Sequence, residues 1–193
     1  MGDQAVADDV RAAADGDDTA WCRLVERFSG LVWSVARAYG LGPADAADVS
    51  QTTWLRLAEH VHRVREPDRL GSWLATTARN ESMGTLRRRA RLVPAEFDFD
   101  LMEDETTSRV EANLLAEERD ASLWRAFRSL PAQCQSLLRV LMADPRPSYA
   151  EVSDALGIPQ GSIGPRRARC LERLRSRAEM REAVATSAVE AGS

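Results

Sequence analysis

With 193 residues, 44% hydrophobic and 29% charged, the chain has the composition of an ordinary globular protein and enough length for one large domain or two small ones. A formal net charge of −4 excludes a protein that coats nucleic acid through bulk charge. No apolar run approaches the roughly 18 residues of a membrane-spanning helix, and the acidic, Ala-rich start lacks the apolar core of a signal peptide, so a cytoplasmic protein is expected.

Met1 to Asp18 is polar and reads as a frayed, disordered segment. From Thr19, Trp21, Leu24, Val25, Phe28, Leu31, Val32, Val35 and Tyr39 recur at steps of three and four, which predicts a core-facing helix ended by Gly40, Gly42 and Pro43. A second helix runs from about Ala44 to His60, with Val49, Trp54, Leu55, Leu57 and Ala58 as candidate buried positions. Asp45, Asp48, Gln51, Arg56 and Glu59 form a polar face able to meet a partner.

Val61 to Asp68 is a basic loop with His62, Arg63, Arg65 and Pro67. The helix that follows carries Leu70, Trp73, Leu74, Thr77 and Ala78, then Arg79, Asn80 and Leu86, and ends in Arg87, Arg88, Arg89 and Arg91. Aromatic and basic side chains interleaved in this way can hold single-stranded nucleic acid, with rings stacking on bases and guanidinium groups meeting phosphates. A plain core Trp73 beside a solvated arginine end is the other reading of the same residues.

Leu92 to Thr107 loses helical periodicity and turns acidic. Between Leu92 and Asp120 ten acids face Arg109 and Arg119, a net −8. The stretch reads as a linker; fully extended, its 16 residues reach about 55 Å. Helices are then predicted from Ser108 (Val110, Leu114, Leu115, Ala121, Trp124, Phe127, Leu130) and from Pro131 (Leu137, Leu138, Val140, Leu141, Met142).

Ser148 followed three residues on by Glu151 is a capping box, in which each side chain satisfies the other's helix-start N–H. Val152, Ala155 and Leu156 give that helix an apolar face, and Gly157 and Pro159 end it. A further helix starts near Ser162, with Pro165 in its first turn. From Arg166 to Arg181 it carries seven arginines against Glu172 and Glu179, a net +5. A capped helix, a short Gly/Pro turn and a basic second helix predict a helix-turn-helix whose second helix enters a DNA major groove.

Several chemistries are excluded. Cys22, Cys134 and Cys170 are odd in number and widely spaced, so reduced, partly buried thiols are expected in place of a disulfide framework or zinc site. His60 and His62 lack a ligand cluster, and no phosphate-cradling, metalloprotease or nucleophile-elbow motif occurs. Neither a metal, a cofactor nor catalytic activity is expected.

The order Asp48-x-x-Gln51-x-x-Trp54-Leu55, then Trp73-Leu74-Ala75-Thr76-Thr77-Ala78-Arg79-Asn80 with Leu86-Arg87-Arg88, then Leu130-Pro131 and the helix-turn-helix, resembles bacterial sigma-70-type initiation factors of the compact extracytoplasmic-function group. The resemblance implies an all-α protein of two helical domains. Region 2 would span residues 19–91, an acidic linker 92–107, and region 4 residues 108–182, with a disordered tail over 183–193.

It further implies that Asp48, Gln51 and Leu55 meet core RNA polymerase at its beta-prime clamp, with the beta flap as a second contact. Arg63, Arg65, Trp73, Arg79, Asn80, Arg87 and Arg88 would take the minus-10 non-template strand, and the loop Val61 to Asp68 would hold a flipped base. Ser162, Arg166, Arg167 and Arg169 would read the minus-35 duplex. Promoter DNA, core polymerase and an anti-sigma factor are the implied partners, and the linker would thread the polymerase's RNA path. Gly84, Thr52, Gly164-Pro165 and Leu171 depart from the family pattern, and the last two shift minus-35 recognition toward backbone positioning and DNA shape. Two other readings stay open: a helix-turn-helix regulator acting without polymerase, and a sigma-like adaptor that binds polymerase without supporting initiation.

Overall fold

A computed structural model describes residues 2–92 and 114–190, so the predicted linker lies, apart from Leu92, outside the described residues. The described chain is helical, in the order α1 (Gly2–Ala14), α2 (Asp18–Ala38), α3 (Pro43–His60), two 3-10 turns (Val61–Arg63 and Pro67–Arg69), α4 (Leu70–Leu92), α5 (Leu114–Arg128), α6 (Ala132–Leu141), α7 (Tyr149–Leu156) and α8 (Gln160–Glu190).

The expectation of a frayed start is corrected by α1. Val6 and Val10, one turn apart, are both buried against the core, and the remaining Ala and Asp residues hid that pair from a reading by composition. Asp9 and Arg23 form an ion pair at 2.6 Å between α1 and α2. Asp17 then caps α2, its carboxylate accepting from the amides of Thr19 (2.8 Å) and Ala20 (3.2 Å).

In α2, Leu24, Phe28, Leu31, Val32 and Val35 are buried, as the periodicity predicts. In α3 the buried stripe is Ala46, Val49, Thr53 and Leu57. Leu55, expected inside, is 57% exposed, and Ala58 is exposed too. Steps of three and four from Val49 lead to Thr53, whose hydroxyl is satisfied by the Val49 carbonyl at 2.8 Å, and this turns Leu55 outward. Trp54 is half-buried, edge-on to Trp21 with ring centroids 6.2 Å apart.

The capping box of α7 forms in full, and Gly157 ends that helix in the left-handed region at φ 65°. The last helix departs from expectation at both ends. It starts at Gln160, where Ser162 donates to the Pro159 carbonyl (2.7 Å) instead of capping, and Pro165 lies inside the helix. It also runs to Glu190, past the predicted boundary at 182, because this Arg-, Glu- and Ala-rich stretch favours helix throughout.

The expectation of three reduced thiols is corrected as well. Cys134 of α6 and Cys170 of α8 are joined by a disulfide across 36 positions of sequence, while Cys22 is free and exposed. Both bonded cysteines face the core between the two helices, at 4% and 5% exposure. Sequence spacing does not register a helix-helix contact, and the odd total came from the unrelated Cys22.

Two helical groups are present, and they pack on each other. One hydrophobic cluster runs from Val6 and Leu24 through Leu74 and Ala78 to Leu137, Val152, Ile163 and Cys170. Within it α7 lies along α4, and α6 lies along α2. Burying a leucine such as Leu74 or Leu137 contributes about 2 to 3 kcal/mol.

Glycines and hydrogen bonds set how close the two groups come. A Cβ added at Gly30 of α2 would stand 2.2 Å from the Asp144 carbonyl oxygen. One at Gly71 of α4 would stand 1.7 Å from a Glu151 carboxylate oxygen. Ser136 Oγ donates to the Ala38 carbonyl at 2.6 Å, and Tyr39 Oη to the Ala155 carbonyl at 3.0 Å.

Candidate nucleic-acid interface

Helical spacing sorts the predicted residues into distinct surfaces. On α3, Asp48, Gln51 and Leu55 recur at three and four residues on the side opposite the buried stripe, and all three are exposed. An apolar side chain flanked by Asp and Gln on an exposed helix is chemistry suited to another protein's surface, not to DNA.

On α4, Trp73, Thr76, Asn80 and Arg87 recur at steps of three, four and seven, and all are exposed, Trp73 at 39%. Arg88 lies beside them, its guanidinium donating to Thr85 Oγ1 at 3.0 Å. The helix is held in place from its other side. Leu70, Leu74, Ala75 and Ala78 are buried, Glu81 pairs with Arg56 at 2.8 Å, and Arg89 pairs with Asp45. The exposed stripe is therefore rigidly presented.

Beside Trp73 the loop of the two 3-10 turns walls a cleft of about 560 Å³. Its lining includes Arg63, Arg65, Arg69, Trp73, Thr76 and Asp154. Arg63 Nε donates to His62 Nε2 at 3.2 Å, and Arg69 pairs with Glu66 at 3.1 Å. Guanidinium groups beside an aromatic face at the mouth of a cleft suit a nucleotide, the ring stacking on a base and the arginines meeting phosphate.

Arg79 is placed apart from that stripe. It is half-buried under the end of α7, where a Cβ on Gly157 would meet its guanidinium at 2.6 Å. Its charge lies beside the Tyr39 hydroxyl, and its Nε is buried with no hydrogen-bond partner. Burial pushes the Tyr39 hydroxyl above its ordinary range, and the nearby Arg79 guanidinium only partly opposes this. Tyr39 therefore stays a neutral donor to Ala155.

On α8, Ser162, Arg166 and Arg169 fall on one stripe, Arg169 exposed and the other two half-buried. Arg167 lies on the neighbouring stripe with buried Ile163 and Cys170 and is half-covered. Asp154, Arg69, Thr76 and Tyr39 were not singled out as site residues in the sequence, Tyr39 having been read only as part of a core-facing helix and Thr76 only within the family motif. Arg69 and Thr76 were legible in principle from their spacing to Trp73; Asp154 and Tyr39 required the packing of α7 on α4.

Residues 24–92 match the family model for sigma-70 region 2. Over 169 residues the chain is 27% identical to the ECF RNA polymerase sigma factor SigE of Mycolicibacterium smegmatis. That alignment covers 84% of this chain and 64% of SigE, so the chain spans a little under two thirds of that relative. Two solved structures share the fold with a TM-score of 0.55 each. CnrH in complex with the cytosolic domain of CnrY is 22% identical, with 89% of this chain and 96% of that one covered. The sigma factor RpoE in complex with the anti-sigma factor NepR from Bartonella quintana is 19% identical, with 82% and 96% covered.

Proposed function

We propose that the chain is a sigma-70-family transcription initiation factor of the extracytoplasmic-function group that binds core RNA polymerase and directs it to promoters, a reading supported by the match of residues 24–92 to region 2 and by the likeness to SigE. In this reading Asp48, Gln51 and Leu55 dock on the polymerase clamp. Trp73, Asn80, Arg87 and Arg88, with Arg63 and Arg65 at the cleft, take the separated minus-10 strand. Ser162, Arg166 and Arg169 contact the minus-35 duplex, with Arg167 at the edge of that surface.

The observation that carries the reading is the stripe Trp73, Thr76, Asn80 and Arg87. It lies within the segment that matches region 2 and borders an arginine-lined cleft of nucleotide size. Unpairing a base costs a few kcal/mol, and a preformed cleft offsets that cost when it receives the base. The factor does no bond chemistry of its own; the polymerase supplies it. No described helix is long and apolar enough to cross a membrane, in keeping with work at the nucleoid in the cytoplasm. RpoE was solved bound to an anti-sigma factor, and a partner of that kind is proposed here also.

The test is multi-round transcription by core bacterial RNA polymerase on a genomic fragment library, with and without the protein, mapping new 5′ ends. Start sites that share upstream elements and appear only with the protein are expected. Their absence, with the protein still bound to polymerase, would instead support an adaptor.

A further inference from the structure

The cleft beside Trp73 has a divided lining. Most of it comes from α3, the two 3-10 turns and α4, and α7 contributes Asp154. The turns are braced from α1, which packs on both of them, and Val61 is buried in one cluster with Val6 and Val10. The backbone that carries the cleft arginines is thus set in place before any ligand arrives.

Arg63, Arg65 and Arg69 supply planar donors that match phosphate oxygens, and Trp73, partly exposed, supplies a ring on which a base can stack. Arg63 keeps its terminal nitrogens free of the bond that its Nε makes to His62, and no described residue pairs with Arg65.

Asp154 is the group out of keeping with a DNA strand. Its carboxylate repels a phosphodiester, yet it accepts hydrogen bonds from hydroxyls. An acidic side chain in that role holds a ribose 2′-OH in dinucleotide-binding folds. Asp154 is half-buried in the cleft, and no described residue pairs with it. Deoxyribose has no 2′-OH to offer. The volume of about 560 Å³ falls within the range of small-ligand sites.

We propose that this cleft is a binding site for a free ribonucleoside di- or triphosphate. Trp73 stacks on the base, Arg63, Arg65 and Arg69 take the phosphates, and Asp154 accepts from the ribose hydroxyls. The occupant is a diffusible ribonucleotide and not the promoter strand, so the inference goes beyond the reading of the chain as an initiation factor.

The test uses the full chain without polymerase. Isothermal titration calorimetry in magnesium-free buffer compares ATP with dATP and GTP with dGTP, and inorganic tripolyphosphate probes the phosphate contacts alone. At least one ribonucleotide should bind about tenfold more tightly than its deoxy counterpart and than tripolyphosphate. Asp154→Ala should bring the ribonucleotide down to the affinity of the deoxy form. Trp73→Ala should weaken the ribonucleotide about tenfold and leave tripolyphosphate unchanged. Both side chains lie outside the core cluster, so the variants keep the fold.

Absence of binding, equal binding of tripolyphosphate and ribonucleotide, or a ribose preference that survives Asp154→Ala would each overturn the site. New start sites in the transcription test with no ribonucleotide bound here would refute this site alone. A bound ribonucleotide that shows the Asp154 dependence, with no new start sites, would support the site and count against the initiation reading alone.

Discussion

Substituting Gly157 by alanine probes the point where α7 meets α4. The residue sits at φ 65° and ψ 37°, and its N–H donates to the Ser153 carbonyl. Holding an L-residue in the left-handed region costs about 1 to 2 kcal/mol. The new Cβ would also lie 2.6 Å from Arg79 Nη2 and 2.8 Å from its Cζ, so the guanidinium must leave its half-buried place beside Tyr39. Losing that packing costs about 1 kcal/mol more.

Together the loss is about 2 to 3 kcal/mol, which lowers the melting temperature by roughly 5 to 10 °C for a chain of this size. Gly16 supplies an internal control: it also has positive φ (93°), but nothing lies within 4 Å of its added Cβ. Gly16→Ala should therefore show the backbone cost alone, about half the effect. Differential scanning calorimetry of both variants decides the matter. If Gly157→Ala costs no more than Gly16→Ala, Arg79 is not packed beneath α7 in solution, and the close contact between the helical groups is wrong as described.

Three further outcomes are expected. Breaking the Cys134–Cys170 bond, which spans 36 positions, should cost about 4 kcal/mol by the chain-entropy argument. It would be read as a lower urea midpoint with reductant present, and thiol titration should find one reactive group before reduction and three after; an unmoved midpoint refutes it. Arg166→Ala should weaken minus-35-dependent initiation by about 1 to 3 kcal/mol if it makes a bidentate base contact, whereas unchanged promoter preference removes it from that surface.

The amides of Ala20 and Thr19 hold the Asp17 carboxyl below its ordinary range. Its charge therefore adds stability above the unfolded-state value and loses it as pH falls through the depressed one. Wild type should melt above Asp17→Asn at neutral pH, and the two should converge in acid. A pH-independent gap would show that the charge plays no part.

What could be read in the sequence was what local physics determines. The Ser148–Glu151 box, the Gly157 stop and the periodicity of Leu24 to Val35 each act within a few residues, and each stands in the structure. The stripe of Trp73, Asn80 and Arg87 was legible for the same reason. Arg79 was grouped with those residues through the family resemblance of the whole segment, but one helical step from Asn80 turns it toward α7. The disulfide, the docking of α7 on α4 and the burial of Val6 and Val10 depend on contacts between distant segments, to which a period of 3.6 gives no clue.

The bond between Cys134 and Cys170 closes a covalent ring that contains the whole of α7. Within that ring α6, α7 and the start of α8 form one mechanical part. Its inner side presses on α4, and its outer side carries Ser162, Arg166 and Arg169. Any event that lifts α7 must swing α6 and the arginine stripe with it. A displacement of the stripe is therefore also a displacement of the part that rests on α4.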